Sequence, residues 1–200
     1  MTRVVPRLRR FVARLLVPTL AGFVGGAIAS RADAQEWAVN KAKSRITFHL
    51  GANGQAIEGT FSSYKVEIRF DAEDPANGEI NAVIDVASAR TQQPQVDAFL
   101  QTPDWFNTAA YPTARLASVS ISEDGADSYK MEGDLTLKGV TERITVPFKL
   151  ESEGGEGQIQ AEITLSRRAF GIGAAEAGAG PNLDGTMRIS IDLHAKNMDN

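Results

Sequence analysis

Two hundred residues, 42% of them hydrophobic, are enough for one domain with a sizeable buried core. The absence of cysteine excludes disulfides, thiolate metal sites, a cysteine nucleophile and a lipidated N-terminal cysteine. The formal net charge is −4, but the first 34 positions hold six of the 21 basic residues and one of the 25 acidic ones, so the remainder carries 15 against 24, a net of −9. An acidic surface lacks the basic footprint that nucleic acid or an anionic membrane requires.

Arg3, Arg7, Arg9, Arg10 and Arg14 precede an apolar run from Leu15 to Ala29, and Ala32, Asp33 and Ala34 then give a small-x-small cleavage signature before Gln35. Residues 1–34 read as a secretory signal peptide, removed on export by the general secretory route to the periplasm, and residues 35–200 as a single domain. A membrane anchor fits less well, because the run is shorter than the ~20 residues a spanning helix needs and contains Pro18 and three glycines. No stable membrane insertion is expected after cleavage.

From Gln35 onward, short runs alternate apolar and polar residues between turn signals. Ile46, Phe48 and Leu50 share a face, as do Ile57, Gly59 and Phe61, then Val66, Ile68 and Phe70, and, after the breaker cluster of Asp74, Pro75, Asn77 and Gly78, Ile80, Ala82, Ile84 and Val86. Between Ser88 and Pro112 the period changes. Pro94 suits the first position of a short helix, Val96, Phe99 and Leu100 fall on one side of it, and Pro103 ends it. Trp105 and Phe106 follow as an apolar plug. Strand character returns at Thr113–Ser122, where Leu116 and Val119 fall out of alternation and predict a bulge.

The stretch from Tyr129 to Leu150 is the clearest element. Tyr129, Met131, Gly133, Leu135 and Leu137 alternate with polar residues, a turn follows at Lys138, Gly139 and Val140, and Ile144, Val146, Phe148 and Leu150 resume the pattern. This is an antiparallel hairpin. Pro147 cannot donate to a ladder, so a bulge or a gap in pairing is expected around Val146 to Phe148. Ile159, Ala161, Ile163 and Leu165, and later Met187, Ile189, Ile191 and Leu193, complete the strands, separated by a glycine- and alanine-rich loop from Gly171 to Gly185.

The fold class is therefore all-β and antiparallel: a barrel or sandwich of about eight strands with a short helical insertion near residues 94–106. An eight-stranded barrel is just wide enough to be filled by side chains or to hold one small ligand. Small residues in the middle of oily faces, at Gly59, Ala82, Gly133 and Ala161, are consistent with a cavity, and equally with bends or tight contacts.

Several motifs together resemble the YceI-like proteins, exported barrel proteins that bind polyisoprenoid lipids. Gly133 to Thr141 resembles their G-x-L-T-h-K/R-G-V-T stretch; Trp37 and Val39 resemble the opening W-x-V; Ser44, Ile46 and Phe48 an S-x-I-x-F; Gly59 and Phe61 a G-x-F. Ser88 with Thr91, Asp97 with Leu100, the pair Trp105 and Phe106, then Tyr111, Pro112, Ala114 and Ser118, and finally Arg167, Phe170 and Gly171 follow in the same order. The match runs from Trp37 to Ala195. It departs at Ala52, where many members carry histidine, and at Ala169, where an acidic residue is frequent.

The resemblance implies an extended, lipocalin-like antiparallel barrel with an isoprenoid chain, as polyisoprenoid or isoprenoid quinone, in an apolar tunnel, and a carrier rather than an enzyme. The residues expected to face the ligand are Phe48, Phe61, Phe99, Trp105, Phe106, Gly133, Leu135, Phe148, Ala161 and Phe170. Phe48, Phe61, Phe70 and Phe148 read first as core residues, whereas Trp105, Phe106 and Phe170 lie in connections and suit the tunnel mouth.

Other chemistry is sparse. His49 and His194 lie in no ligand-spaced motif, no G-x-S-x-G nucleophile elbow is present, and Gly171 and Gly173 lack the lysine of a phosphate loop. No catalytic residue, metal or cofactor is expected. The two histidines fall on the first and last strands of the barrel, which would make them neighbours if closure aligned them. A small lipid-acting hydrolase or isomerase using one of them, and a β-sandwich interaction module without ligand, are the alternative readings. Monomer and homodimer both stay open.

Overall fold

The computed structural model describes residues 34–52, 55–173 and 183–199; all of the expected signal peptide but Ala34, and most of the glycine- and alanine-rich loop, lie outside them. Among these residues the chain runs β1 (Glu36–Val39), β2 (Arg45–Ala52), β3 (Gln55–Phe61), β4 (Tyr64–Arg69), β5 (Glu79–Asp85), β6 (Ala89–Thr91), α1 (Pro94–Leu100), β7 (Thr113–Glu123), β8 (Ser128–Leu137), β9 (Val140–Glu153), β10 (Glu156–Ser166) and β11 (Leu183–Asn197).

Six of these segments combine into three broken strands. β2 pairs with β3 and β3 with β6, while β1 pairs with β4 and β4 with β5, so that β1–β2, β3–β4 and β5–β6 are each one strand interrupted by a bend. β11 closes the ring: Arg188–Asp192 register with His49–Arg45 of β2, and Ala195–Asn197 with Val39–Trp37 of β1. The result is a closed, antiparallel, eight-stranded up-and-down barrel with one short helix, and the sandwich alternative is set aside.

Serine side chains stitch the bends where ladder bonds lapse. Ser44 Oγ accepts from the His194 N–H at 2.9 Å and donates to Asn40 O at 2.8 Å. Ser88 Oγ accepts from the Ser63 N–H at 3.0 Å and donates to Asp85 O at 2.6 Å. Both belong to the motifs singled out above, whose serines thus hold the break points of the barrel.

The hairpin forms as its alternation predicts. Leu137 pairs with Val140 across Lys138 and Gly139, which adopt φ of 50° and 80°. Such a two-residue turn matches the right-handed twist of the flanking strands, and glycine takes its second left-handed position without a steric penalty. The bulge in β7 is present as well. Pairing steps from Ser118↔Gly133 to Ser120↔Glu132, expelling Val119 to 53% exposure. The Ile80 N–H then finds Ser118 Oγ at 2.9 Å, so the irregularity leaves that donor satisfied.

Pro147 acts on one side only. Pairing with β8 runs regularly through Lys130↔Pro147, but the β10 ladder stops at Phe148↔Ala161, so the part of β9 before Phe148 and the part of β10 after Ala161 are not paired to one another. The missing N–H coincides with the point where these two strands part.

Two of the four small inward residues are small for contact, not for space. A Cβ on Gly59 would lie 2.2 Å from Cζ of Phe48, its cross-strand partner, and 2.8 Å from Arg90 O. A Cβ on Gly133 would lie 3.0 Å from Ala117 O and 3.1 Å from Leu116 Cδ1, against the bulged strand. Only Ala82 and Ala161 border empty volume. Glycine to alanine within a strand ordinarily gains about 0.5–1 kcal/mol, so Gly59→Ala discriminates. Displacing the Phe48 ring should instead cost about 1–3 kcal/mol, lowering the melting temperature by several degrees, whereas an unchanged or raised value would show that the position has room.

Candidate functional site

The inward faces of the strands enclose an apolar cavity. Ile46 of β2, Val66 and Ile68 of β4, Ala82 and Ile84 of β5, Leu116 of β7, Met131 and Leu135 of β8, Ile144 and Val146 of β9, Ala161 and Ile163 of β10, and Ile189 and Ile191 of β11 make most of its wall. No polar atom faces it, and the one charged residue along it, Arg115, is exposed on the outer side of β7. Its volume is about 110 Å³, counted as the space open to the centre of a water-sized sphere. So small a volume bordered by residues of all eight barrel strands makes a narrow cavity. It suits an extended chain better than a compact solute.

Aromatic clusters flank it toward both ends of the barrel. Near the start of β8, the Phe70 ring stands edge-on to Tyr129 at 4.9 Å and to Phe148 at 5.8 Å, and Tyr129 stacks on Phe148 at 5.3 Å. Burial first, and then the charges of Asp127, Glu123 and Asp71, push the Tyr129 phenol above its ordinary pKa, so it stays neutral. Near the other end, Phe48 meets Phe61 at 5.1 Å and Phe106 at 6.4 Å, with Phe61 and Phe106 also 6.4 Å apart.

The segment carrying Phe106 is pinned to the barrel by polar contacts outside the cavity. Asp97 on α1 accepts from both the N–H and the hydroxyl of Thr91 at 2.7 Å, tying the helix to β6. Lys138, at the β8–β9 turn, donates to Asp104 O at 3.1 Å and Gly171 O at 2.6 Å, and burial lowers its pKa against the opposing pull of Asp104. The Gly173 N–H also reaches Asp104 O, at 2.7 Å. Arg167 is 3% exposed and donates to the carbonyls of Asp184, Ile172 and Gly173 at 2.6, 3.0 and 3.2 Å. These contacts gather residues 102–106, 138 and 167–173 at one end of the barrel.

Of the residues expected from sequence to face a ligand, Phe61, Phe106, Leu135, Phe148 and Ala161 line this cavity. Phe48 is fully buried behind Phe61 and Phe106, Gly133 faces the bulge, and Phe170 is buried in the 167–173 turn without bordering the cavity. Phe99 and Trp105 line a second hollow, between α1 and the β2–β3 hairpin. Phe99 is 40% exposed, although helical spacing grouped it with the buried Leu100. From sequence the aliphatic wall, Ile144, Ile163 and Ile189 among it, reads as strand face only; its signal is the inward parity it shares with Leu135 and Ala161.

Closure does not bring the histidines together. His49 registers with Arg188, six residues along β11 from His194, a separation of roughly 20 Å at about 3.3 Å per residue. Both lie on the outer face, His49 within 3.7 Å of Glu58 and His194 within 3.8 Å of Asp192. Among the described residues no group of three or more His, Asp or Glu side chains could hold a metal ion.

Similarity to known proteins follows the same outline. The pattern of the YceI-like domain matches residues 37–195. A UPF0312 protein of Photorhabdus laumondii is 33% identical over 146 residues, 70% of this chain and 76% of its own. Protein YceI of Escherichia coli O157:H7 is 37% identical over 108 residues, 54% of this chain, and the match spans about half, 55%, of that relative's length. Among solved structures, BcnA of Burkholderia cenocepacia aligns with a TM-score of 0.76 at 28% identity, over 80% of this chain and 100% of that one. A polyisoprenoid binding domain from Saccharophagus degradans, implicated in plant cell wall breakdown, aligns at 0.64 and 16% identity over 82% of this chain and 99% of its own, a likeness of fold alone. With the domain pattern running from the indole of β1 to the closing strand β11, the chain belongs to the YceI-like family.

Proposed function

We propose that the protein is a binding or carrier protein for a long isoprenoid, either a polyisoprenoid or an isoprenoid quinone, held in extended form inside the barrel. The observation that carries this reading is the narrow cavity whose wall presents no polar atom, flanked toward its two ends by clusters of aromatic rings. An isoprenoid tail gains about 0.8 kcal/mol per methylene-sized group buried, so a long chain is retained by shape and apolarity without a charged anchor. The polyisoprenoid binding named for the Saccharophagus degradans domain supports the same choice of ligand. No His, Asp, Glu, Lys, Ser or Thr stands among the described residues that line the cavity, which leaves a lipid-acting enzyme no acid or base there.

The pattern of residues 1–34 supports export to the periplasm, where the protein would carry its lipid. N-terminal analysis of the exported form should begin at Gln35, and retention of earlier residues would contradict cleavage at Ala34.

The carrier role is tested by filling the cavity. Ala161→Leu adds three carbons to a wall that borders free volume, so the variant should keep a melting temperature close to the parent. Geranylgeraniol should raise the melting temperature of the parent, because a ligand that binds only the folded state stabilises it, and should raise that of Ala161→Leu much less. A variant that loses stability sharply, with a parent that does not respond to the isoprenoid, would mean a filled core and no carrier.

A further inference from the structure

β9 and β10 share a ladder only from Glu153↔Glu156 to Phe148↔Ala161. Beyond it, residues 143–147 of β9 face residues 162–166 of β10 without pairing, five residues a side, or about 17 Å at about 3.3 Å per residue. Each lip is held on its other side, β9 by ten pairs with β8 and β10 by eleven with β11. The break is therefore a slot between two intact ribbons, hinged at Phe148 and Ala161.

Nothing polar bridges it. Counting by twos from the Leu137↔Val140 pair that closes the turn, alternate residues of β9 bond to β8, while Arg143 and Thr145 turn their N–H and C=O groups toward the slot. Pro147, at the apex, has no N–H to offer there. The outward side chains lean away as well: Thr145 donates to Glu132 Oε1 at 2.8 Å, Arg143 donates to Asp134 Oδ1 at 2.6 Å, and Glu162 lies 3.6 Å from Arg188 on β11. Among the described residues no side-chain hydrogen bond or ion pair crosses from one lip to the other.

What closes the slot is hydrocarbon. Val146, Ile163 and Leu165 are buried, Ile144 is half-buried, and all four turn inward to border the cavity. Outside, a hollow over the apex is lined by Pro147, Gln160 and Glu162, while Phe148, Ala161 and Ile191 border both that hollow and the cavity. A single layer of side chains separates inner from outer space there. Entry through a paired stretch of wall would break ladder bonds and strand their donors and acceptors, and entry past Phe48, Phe61 and Phe106 would displace rings that are all buried. Parting the lips of the slot gives up only apolar contacts, which the methyl groups of an entering chain replace.

We propose that this slot is the route by which an isoprenoid tail enters and leaves the barrel: the β8–β9 and β10–β11 ribbons part along residues 143–147 and 162–166, and the tail passes sideways between Ile144 and Val146 on one lip and Ile163 and Leu165 on the other. The proposal rests on the carrier reading and adds a path to it.

The test ties the lips together. The chain has no cysteine, so Thr145→Cys with Thr164→Cys supplies its only two thiols. Both positions are exposed, and they stand opposite one another when the Phe148↔Ala161 register is continued. The double variant is loaded with tritiated geranylgeraniol, half of it is then linked with a short bis-maleimide, and release to an excess of phosphatidylcholine vesicles is timed. Linking should slow release at least about tenfold. The same linker between Lys149→Cys and Gln160→Cys, a pair already in the ladder, should leave the rate unchanged. If the linked lips release the chain as fast as the unlinked ones, or the control linker slows release as much, the slot is not the route and the carrier reading stands. If the unlinked protein takes up no geranylgeraniol, both fall.

Discussion

Closure of the sheet by β11 sets the radius of everything inside the barrel. Its fifteen residues pair with β10 along one edge and with β2 and β1 along the other, which leaves the sheet without a free edge there. Eight strands closed in this way leave an interior that large side chains fill and small ones do not. Ala82 and Ala161 border free volume, while the rings of Phe48 and Phe70 pack in clusters toward the two ends. The cavity is thus a consequence of where the small and the large residues lie along the strands.

The same distribution explains how the protein would hold a lipid without a charged site. Inside, each contact is weak and non-directional, and affinity accumulates with the length of chain buried. Selectivity among long chains cannot arise there, since a uniform hydrocarbon wall does not distinguish them beyond width. It has to be set at the ends, where the rings stand and where polar groups resume. At the α1 end, Asp97 holds Thr91, and Lys138 and Arg167 donate to backbone carbonyls of the 167–173 turn and of Asp104 and Asp184. Their work is to hold the plug.

Much of this was legible from alternation alone. The hairpin of β8 and β9, the bulge at Val119 and the interrupted pairing at Pro147 each follow from a local rule: period two, a slip in that period, a missing N–H. What escaped depends on partners distant in sequence. Gly59 looks like a vacancy until Phe48 is placed opposite it, and Gly133 until the bulged β7 is. The break at residues 40–44 is a turn gathered on Asn40, whereas that at 62–63 has no such local bond and is held by the bond of Ser63 to Ser88. The register that separates His49 from His194 likewise exists only in the closed sheet. The cavity wall could be named by parity, but its narrowness is a property of the ring.

The central claim is that the free volume within the barrel is occupied by an isoprenoid when the protein is made in its own cell. Solvent extraction of the natively produced protein, purified without detergent and analysed by mass spectrometry, tests this most directly. A long isoprenoid species in near one-to-one ratio with the folded protein is the predicted result. A folded protein that yields no lipid, or only a mixture of short fatty acids at a small fraction of the protein, would contradict it.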